Sequence, residues 1–211
     1  MISYGEIQSK HTLLRFFIFS CSAFIMTEIA KLTLPPPNSD HDHIQSPPSA
    51  PVTLVEYGDY ECPYCGQAYP IIKEVQKHLG NKLRFVFRSF PLAEIHPHAQ
   101  HAAEAAEAAA VQNKFWQMHD FLYEHQQAPE DKHLDKYADK LGLDISRFNI
   151  DISTRVHRGR IREDFLSGVY SGVNGTPTFY INGMHYNDSW DLETLLQTLR
   201  FAVKNANKNQ S

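Results

Sequence analysis

The sequence predicts an α/β domain in which a strand–helix–strand unit and a later strand–strand–helix unit share one sheet, with a helical insertion between them. Three observations predict it. Residues 52–90 read as strand, helix, strand; about eighty residues after them carry apolar side chains at helical spacing; and two short apolar runs flank Asn182-Gly183 before a last amphipathic stretch.

Each element has a local reason. "VTLVEY" (52–57) is rich in β-branched and apolar residues, and Gly58-Asp59 ends it as a buried strand. Pro63 opens a helix, because proline is tolerated in the first turn; Ala68, Ile71, Ile72, Val75 and Leu79 recur at helical spacing up to the stop at Gly80-Asn81. "LRFVFRSF" (83–90) alternates as a second strand and is closed by Pro91, so residues 52–90 form a right-handed βαβ unit with parallel strands. The insertion, residues 92–172, begins with a small-residue stripe of Ala99, Ala102, Ala103, Ala106 and Ala110. It continues with stripes of Phe115, Met118 and Leu122 and of Leu134, Tyr137, Ala138 and Leu141. It ends in one helix from near Ser153 to Gly172, with Phe165 and Val169 inward. "TFYI" and "MHY" around Asn182-Gly183 form a hairpin. A final helix started by Asp188 or Ser189 buries Leu192, Leu195, Leu196, Leu199 and Val203 before a polar tail at 205–211.

The folded domain is expected over 51–204. Residues 1–50 read as a leader: 35–51 hold six of the twelve prolines and are expected to be an extended linker. Before it, "FFIFSCSAFIM" (16–26) follows Lys10 and Arg15 and has the length of a signal-peptide core, too short to span a bilayer. Two readings stand. Segment 10–26 exports the protein to an extracytoplasmic (periplasmic) site, or translation starts at Met26 and the product is cytoplasmic.

Composition narrows the function. At 211 residues and 42% apolar the chain can bury one sizeable core, and 20 basic against 24 acidic residues advertise no face for nucleic acid. The twelve histidines are mostly scattered singly, and no metal or other cofactor is expected. Of the three cysteines, Cys21 receives no role. Cys62 and Cys65 form "CPYC", but a structural zinc site needs about four ligands and no second pair exists. A disulfide closing so short a loop would stabilise little, which leaves reversible redox use.

A CxxC pair at a strand-to-helix junction puts the first sulfur at the helix N-terminus, where unpaired N–H groups and the macrodipole favour an anion. Cys62 is therefore the expected exposed nucleophile and Cys65, one turn further in, the shielded resolving thiol. Pro63 and Tyr64 tune the pair and border the substrate. With no cation between the sulfurs, a weaker oxidant than a CPHC enzyme is expected. Glu56 is an acid inside an apolar strand, costly unless it has a task, with a solvent-facing edge position as its ordinary alternative. Asp59 and Glu61 read as ordinary loop charges, and His96, His98 and His101 as capping and surface groups.

The segments "EYGDYECPYC", "FRSFPL", "HPHAQHAAEAAEAA" and "VNGTPTFYING" together resemble the DsbA-like branch of the thioredoxin superfamily over residues 52 to about 204. The resemblance implies a thioredoxin fold (βαβ–ββα) with a helical insertion of DsbA type and a thiol–disulfide oxidoreductase. It implies a cis-proline at Pro177, with Thr176 before it, facing the CxxC and aligning substrate. It also implies that Glu56 shuttles the proton of the second cysteine. Cysteine-containing protein substrates, a redox partner that resets the pair, and a monomer complete the expectation. Two other classes stay open: a glutathione-linked transferase or isomerase of a related fold, and a non-catalytic peptide-binding module.

Overall fold

The computed structural model describes residues 34–126 and 131–208; segment 10–26, Met26 and Cys21 lie outside them. One five-stranded sheet organises the chain, in the order β1-β3-β2-β4-β5. In it, β2 (Val52–Gly58) and β3 (Leu83–Ser89) are parallel, joined by α1 (Pro63–Leu79). The hairpin of β4 (Thr178–Ile181) and β5 (Met184–Tyr186) adds antiparallel to β2. Between β3 and β4 lie α2 (Ala99–Ala110), α3 (Phe115–Glu124), α4 (Asp131–Lys140), α5 (Ile145–Thr154) and α6 (Arg158–Ser171), and α7 (Leu192–Lys208) follows the hairpin.

The sheet is buried on both faces, so β2 has no exposed residue. Alternation along β2 sends Val52, Leu54 and Glu56 to one side. There Phe85, Phe87 and Phe179 join Ala68, Ile72 and Val75 of α1 and Leu195, Leu199 and Val203 of α7 in the main core. Val55 and Tyr57 face the other side with Val86, Phe90, Val173 and Tyr180, against α6. The hairpin turns through Asn182 and Gly183 at φ 50° and 82°, conformations suited to a two-residue turn. Asn182 also pins the turn to β2, accepting from the Thr53 N–H at 2.8 Å and donating its own N–H to the Thr53 carbonyl at 2.9 Å.

Several expectations are corrected. Residues 35–51 are not an unpacked linker: Leu34 and Asp42 are buried, and β1 (His43–Gln45) pairs antiparallel with β3. The cause is Arg88, a cation inside β3 that needs a counter-charge. Its guanidinium grips Asp42 with two bonds of 2.7 and 2.9 Å and donates to Tyr57 Oη at 3.0 Å and to the Pro35 carbonyl at 3.2 Å. Burial pushes the Asp42 carboxyl up, but the Arg88 hydrogen bonds and charge outweigh it and hold it below the usual range. The helix expected from near Ser153 to Gly172 starts only at Arg158, as α6, because α5 ends at Thr154 and Arg155 takes a left-handed φ of 53°, its guanidinium turned to Glu104 at 2.8 Å. On α6 the inward positions are Ile161, Asp164, Gly168 and Ser171. Val169 is exposed, while Phe165 stacks on Phe90 at 4.4 Å. The alanine helix α2 is buried almost all round and not along one stripe. Helix α7 is capped by Asp191, whose Oδ1 accepts from the Glu193 and Thr194 N–H groups at 3.1 Å, and it runs through most of the expected tail to Lys208.

The Arg88–Asp42 pair yields a stability prediction. Asp42→Ala leaves a buried guanidinium without its partner and should cost about 3–5 kcal/mol in urea unfolding, whereas Asp42→Leu combined with Arg88→Met should recover most of that loss.

Candidate active site

Cys62 is the N-cap of α1, with an extended backbone (φ −69°, ψ 121°), and its thiol makes no capping hydrogen bond. Its carbonyl accepts the first helical bond, from the Gly66 N–H at 3.1 Å. An N-cap side chain ordinarily takes the orphan N–H groups two and three residues on. Here the cap atom is sulfur, and the Tyr64 and Cys65 N–H groups lie near enough to favour its thiolate. Pro63 fills the first helical position, where a missing N–H costs nothing.

Both cysteines are reduced. The hydrogen bond from the Cys65 thiol is the largest influence on Cys62; burial opposes it, and the Thr176 hydroxyl and the two N–H groups add to it. The Cys62 thiol is thereby lowered to about 5. Cys65 moves the opposite way, pushed well up by burial, by donating to Cys62 and by the charge of Glu56. The expected exposure of Cys62 is corrected: it keeps 4% of its surface. The Thr176–Pro177 loop explains this, lying against the cysteine so that its thiol donates to the Thr176 carbonyl at 3.2 Å. That loop's peptide bond is cis. Thr176 Oγ1 is buried with no hydrogen-bond partner in this thiol form, so its proton is available to the thiolate. Tyr64, between the cysteines, is 62% exposed.

Glu56 lies in a central strand, opposite Phe87 on one side and Phe179 on the other, and is not at an edge. Burial, and then the negative charge of Cys62, raise its carboxyl to about 8. It lines a cavity of about 10 Å³ with Tyr123, His119, Lys73 and Asp120, room for one water. Lys73 and Asp120 close the far side as an ion pair of 3.0 Å. Glu56 thus holds its proton near neutral pH on the wall of that cavity.

Asp59 and Glu61 are not ordinary loop charges. Asp59 is buried: its carboxylate accepts from the Glu61 N–H at 2.7 Å and from the Leu92 N–H and His96 Nδ1 at 2.8 Å. Its own N–H points at Cys65 Sγ, 3.5 Å away. Glu61 accepts from the His98 N–H at 2.7 Å, where α2 begins. His96 is therefore a partner of Asp59 and not a free surface group. Gln126, past the end of α3, donates to the carbonyls of Tyr60 and Cys62. The available sequence signal was the Asp59-x-Glu61 spacing of an Asx turn; Gln126 left none. Among the described residues no cluster of potential metal ligands is found.

Residues 38–200 match the family described as thioredoxin. Among curated proteins, the chain is 44% identical over 171 residues to a Na(+)/H(+) antiporter NhaA 3 of Salinispora tropica, covering 81% of this chain and 26% of that one. It is 48% identical over 160 residues to an NhaA 1 of Salinispora arenicola, covering 76% and 24%. The chain thus spans about a quarter of the length of these relatives. Three solved structures share the fold. BdbD from Bacillus subtilis, oxidised, superposes with a TM-score of 0.71 at 22% identity, covering 80% of this chain and 96% of that one. A thioredoxin-like oxidoreductase from Silicibacter pomeroyi gives 0.69 at 25% identity, covering 86% and 98%. Wolbachia pipientis alpha-DsbA1 gives 0.73 at 19%, also covering 86% and 98%.

Two predictions follow from the electrostatics. Thr176→Val deletes one donor to a charged sulfur, a bond worth about 1.5–3 kcal/mol. The midpoint of Cys62 alkylation against pH should therefore rise by about 1–2 units, read with iodoacetamide. Glu56→Gln should show its effect in pH-dependent stability. The folded chain keeps the Glu56 proton up to about pH 8, while the unfolded chain loses it near 4.5. Parent stability therefore drains between those values, and urea unfolding of the reduced protein should find the variant gaining on the parent by up to ~4 kcal/mol as pH rises from 4.5 to 8.

Proposed function

The chain belongs to the thioredoxin family, and from that membership we propose that it is a DsbA-like thiol–disulfide oxidoreductase exchanging the Cys62–Cys65 pair with cysteine-containing proteins. The observation that carries this reading is the opposite tuning of two thiols one helical turn apart: Cys62 lowered to about 5, Cys65 pushed well up.

In the oxidising direction, a substrate thiolate attacks Cys62 Sγ of the enzyme disulfide. The Cys62–Cys65 bond breaks, Cys65 leaves with the electron pair, and a proton from Glu56 neutralises it. A second substrate thiolate then attacks the substrate sulfur of the mixed disulfide, and Cys62 departs as a thiolate. Exchange is faster when the leaving thiol has a low pKa, so Cys62 suits this second step. Stabilising the reduced enzyme through that thiolate also makes its disulfide the stronger oxidant. Oxidation of substrates is the direction this arrangement favours, with a separate redox partner restoring the disulfide. Such work belongs in a compartment where thiols are not kept reduced, which favours the exported of the two N-terminal readings. The cis-Pro177 loop borders the nucleophile, and Tyr64 offers an exposed aromatic surface to an extended substrate.

The test is covalent trapping. Cys65→Ser should accumulate mixed disulfides with thiol-bearing proteins that dithiothreitol releases, and Cys62→Ser should accumulate none. A peptide-binding module would trap nothing in either variant, and a glutathione-linked enzyme would trap glutathione in place of proteins.

A further inference from the structure

The helical insertion reaches back to the nucleophile through one side chain. Gln126 lies just beyond α3, and its Nε2 donates to the Cys62 carbonyl at 2.7 Å and to the Tyr60 carbonyl at 3.1 Å. The amide bridges two carbonyls on either side of Glu61, across the turn that delivers Cys62 to the helix. On the other side of the same amide stands Gly66. A Cβ at that position would collide with Gln126 Oε1 and crowd its Cδ. A side chain at residue 66 would therefore displace the end of the glutamine from its present place.

We propose that Gln126 is a positioning residue for Cys62: by holding the Tyr60 and Cys62 carbonyls it fixes how the sulfur meets the first turn of α1, and so couples the reactivity of the nucleophile to the helical insertion. The Cys62 carbonyl and its sulfur share one α-carbon. Rotation of the Cys62–Pro63 peptide would move the Tyr64 and Cys65 N–H groups relative to the sulfur they serve. A second donor on that carbonyl restrains the rotation. The lowered titration of Cys62 is consistent with such a restraint. This inference rests on Cys62 being the thiolate nucleophile.

Gln126→Met keeps the length of the side chain and removes its N–H groups, while Gly66→Ala leaves the amide intact and displaces it. Cys62 alkylation by iodoacetamide is followed against pH in the reduced full chain. Each variant should raise the midpoint, so that the rate at pH 5 falls about 3- to 10-fold, and Gln126→Glu should raise it further by setting a carboxylate against the two carbonyls. The double variant Gly66→Ala, Gln126→Met should shift no more than Gln126→Met alone, since both changes act on one contact. If Gln126→Met and Gly66→Ala both titrate like the parent, or if their shifts add, the proposal is overturned. Should Gln126→Met fail to fold, Gly66→Ala decides alone. A parent midpoint near 8.5, the value of a free cysteine, would instead remove the nucleophile reading itself, whatever the variants do.

Discussion

The turn from Gly58 to Cys62 is the constraint on which the site depends, and Asp59 holds it. Its backbone carbonyl accepts the Cys62 N–H at 3.2 Å, its backbone N–H faces the Cys65 sulfur, and its carboxylate collects the N–H groups of Glu61 and Leu92 and the ring of His96. A buried carboxylate is tolerable only when its lone pairs are met; here three donors meet them. One residue thus joins the end of β2, both cysteines and the start of the insertion. Cys62 is an N-cap because this turn leaves it no other place.

Given that turn, the two thiols need no cation to become different. Around the sulfur outside the first turn of α1 stand two N–H groups, the Cys65 thiol and a threonine hydroxyl, all of which favour a thiolate. The sulfur inside the helix has Glu56 near it, and it lies in the main core, where charge is penalised. Opposite environments a single turn apart make one thiol acidic and hold the other protonated. Glu56 is kept neutral by the same burial that keeps Cys65 protonated.

What was readable in the sequence was whatever is written in periodicity. The βαβ unit, the Asn182-Gly183 turn and the apolar stripe of α7 depend on spacings within a few residues, and their apolar runs state those spacings directly. The thioredoxin family and its fold were readable as well, through four separated segments whose joint resemblance pointed to them. Polar pairings over long separations were not. Arg88 and Asp42 are 46 residues apart, and nothing local tells an isolated Asp in a proline-rich stretch that it will be buried. Asp59 and Glu61 read as loop charges because their partners, Leu92, His96 and His98, lie more than thirty residues downstream. Gln126 is further still from the carbonyls it holds. The break between α5 and α6 escaped for a related reason: Arg155 is an ordinary helix former, and its left-handed backbone accompanies an ion pair with Glu104, 51 residues earlier.

The topology explains why these distant residues meet at the cysteines. β2 and β3 are parallel and in register, Gly58 opposite Ser89, so both strands end at the same edge of the sheet. Crevices beyond the carboxyl ends of parallel strands are where such sheets place their ligands. Chain leaving β2 there becomes the Asp59–Cys62 turn, and chain leaving β3 becomes the loop through Leu92 and His96. β4 runs antiparallel to β2 with Thr178 opposite Tyr57, so chain coming back from the insertion must arrive at that edge too, and it arrives as Thr176-Pro177. An insertion between β3 and β4 therefore leaves from and returns to the side of Cys62 whatever its internal helices do. Its two ends supply the partners of Asp59 and the loop against Cys62, and its interior has only to bring Gln126 back to the same place. The helical part of this fold is in that sense a frame around the thiol and not an appendage to the sheet.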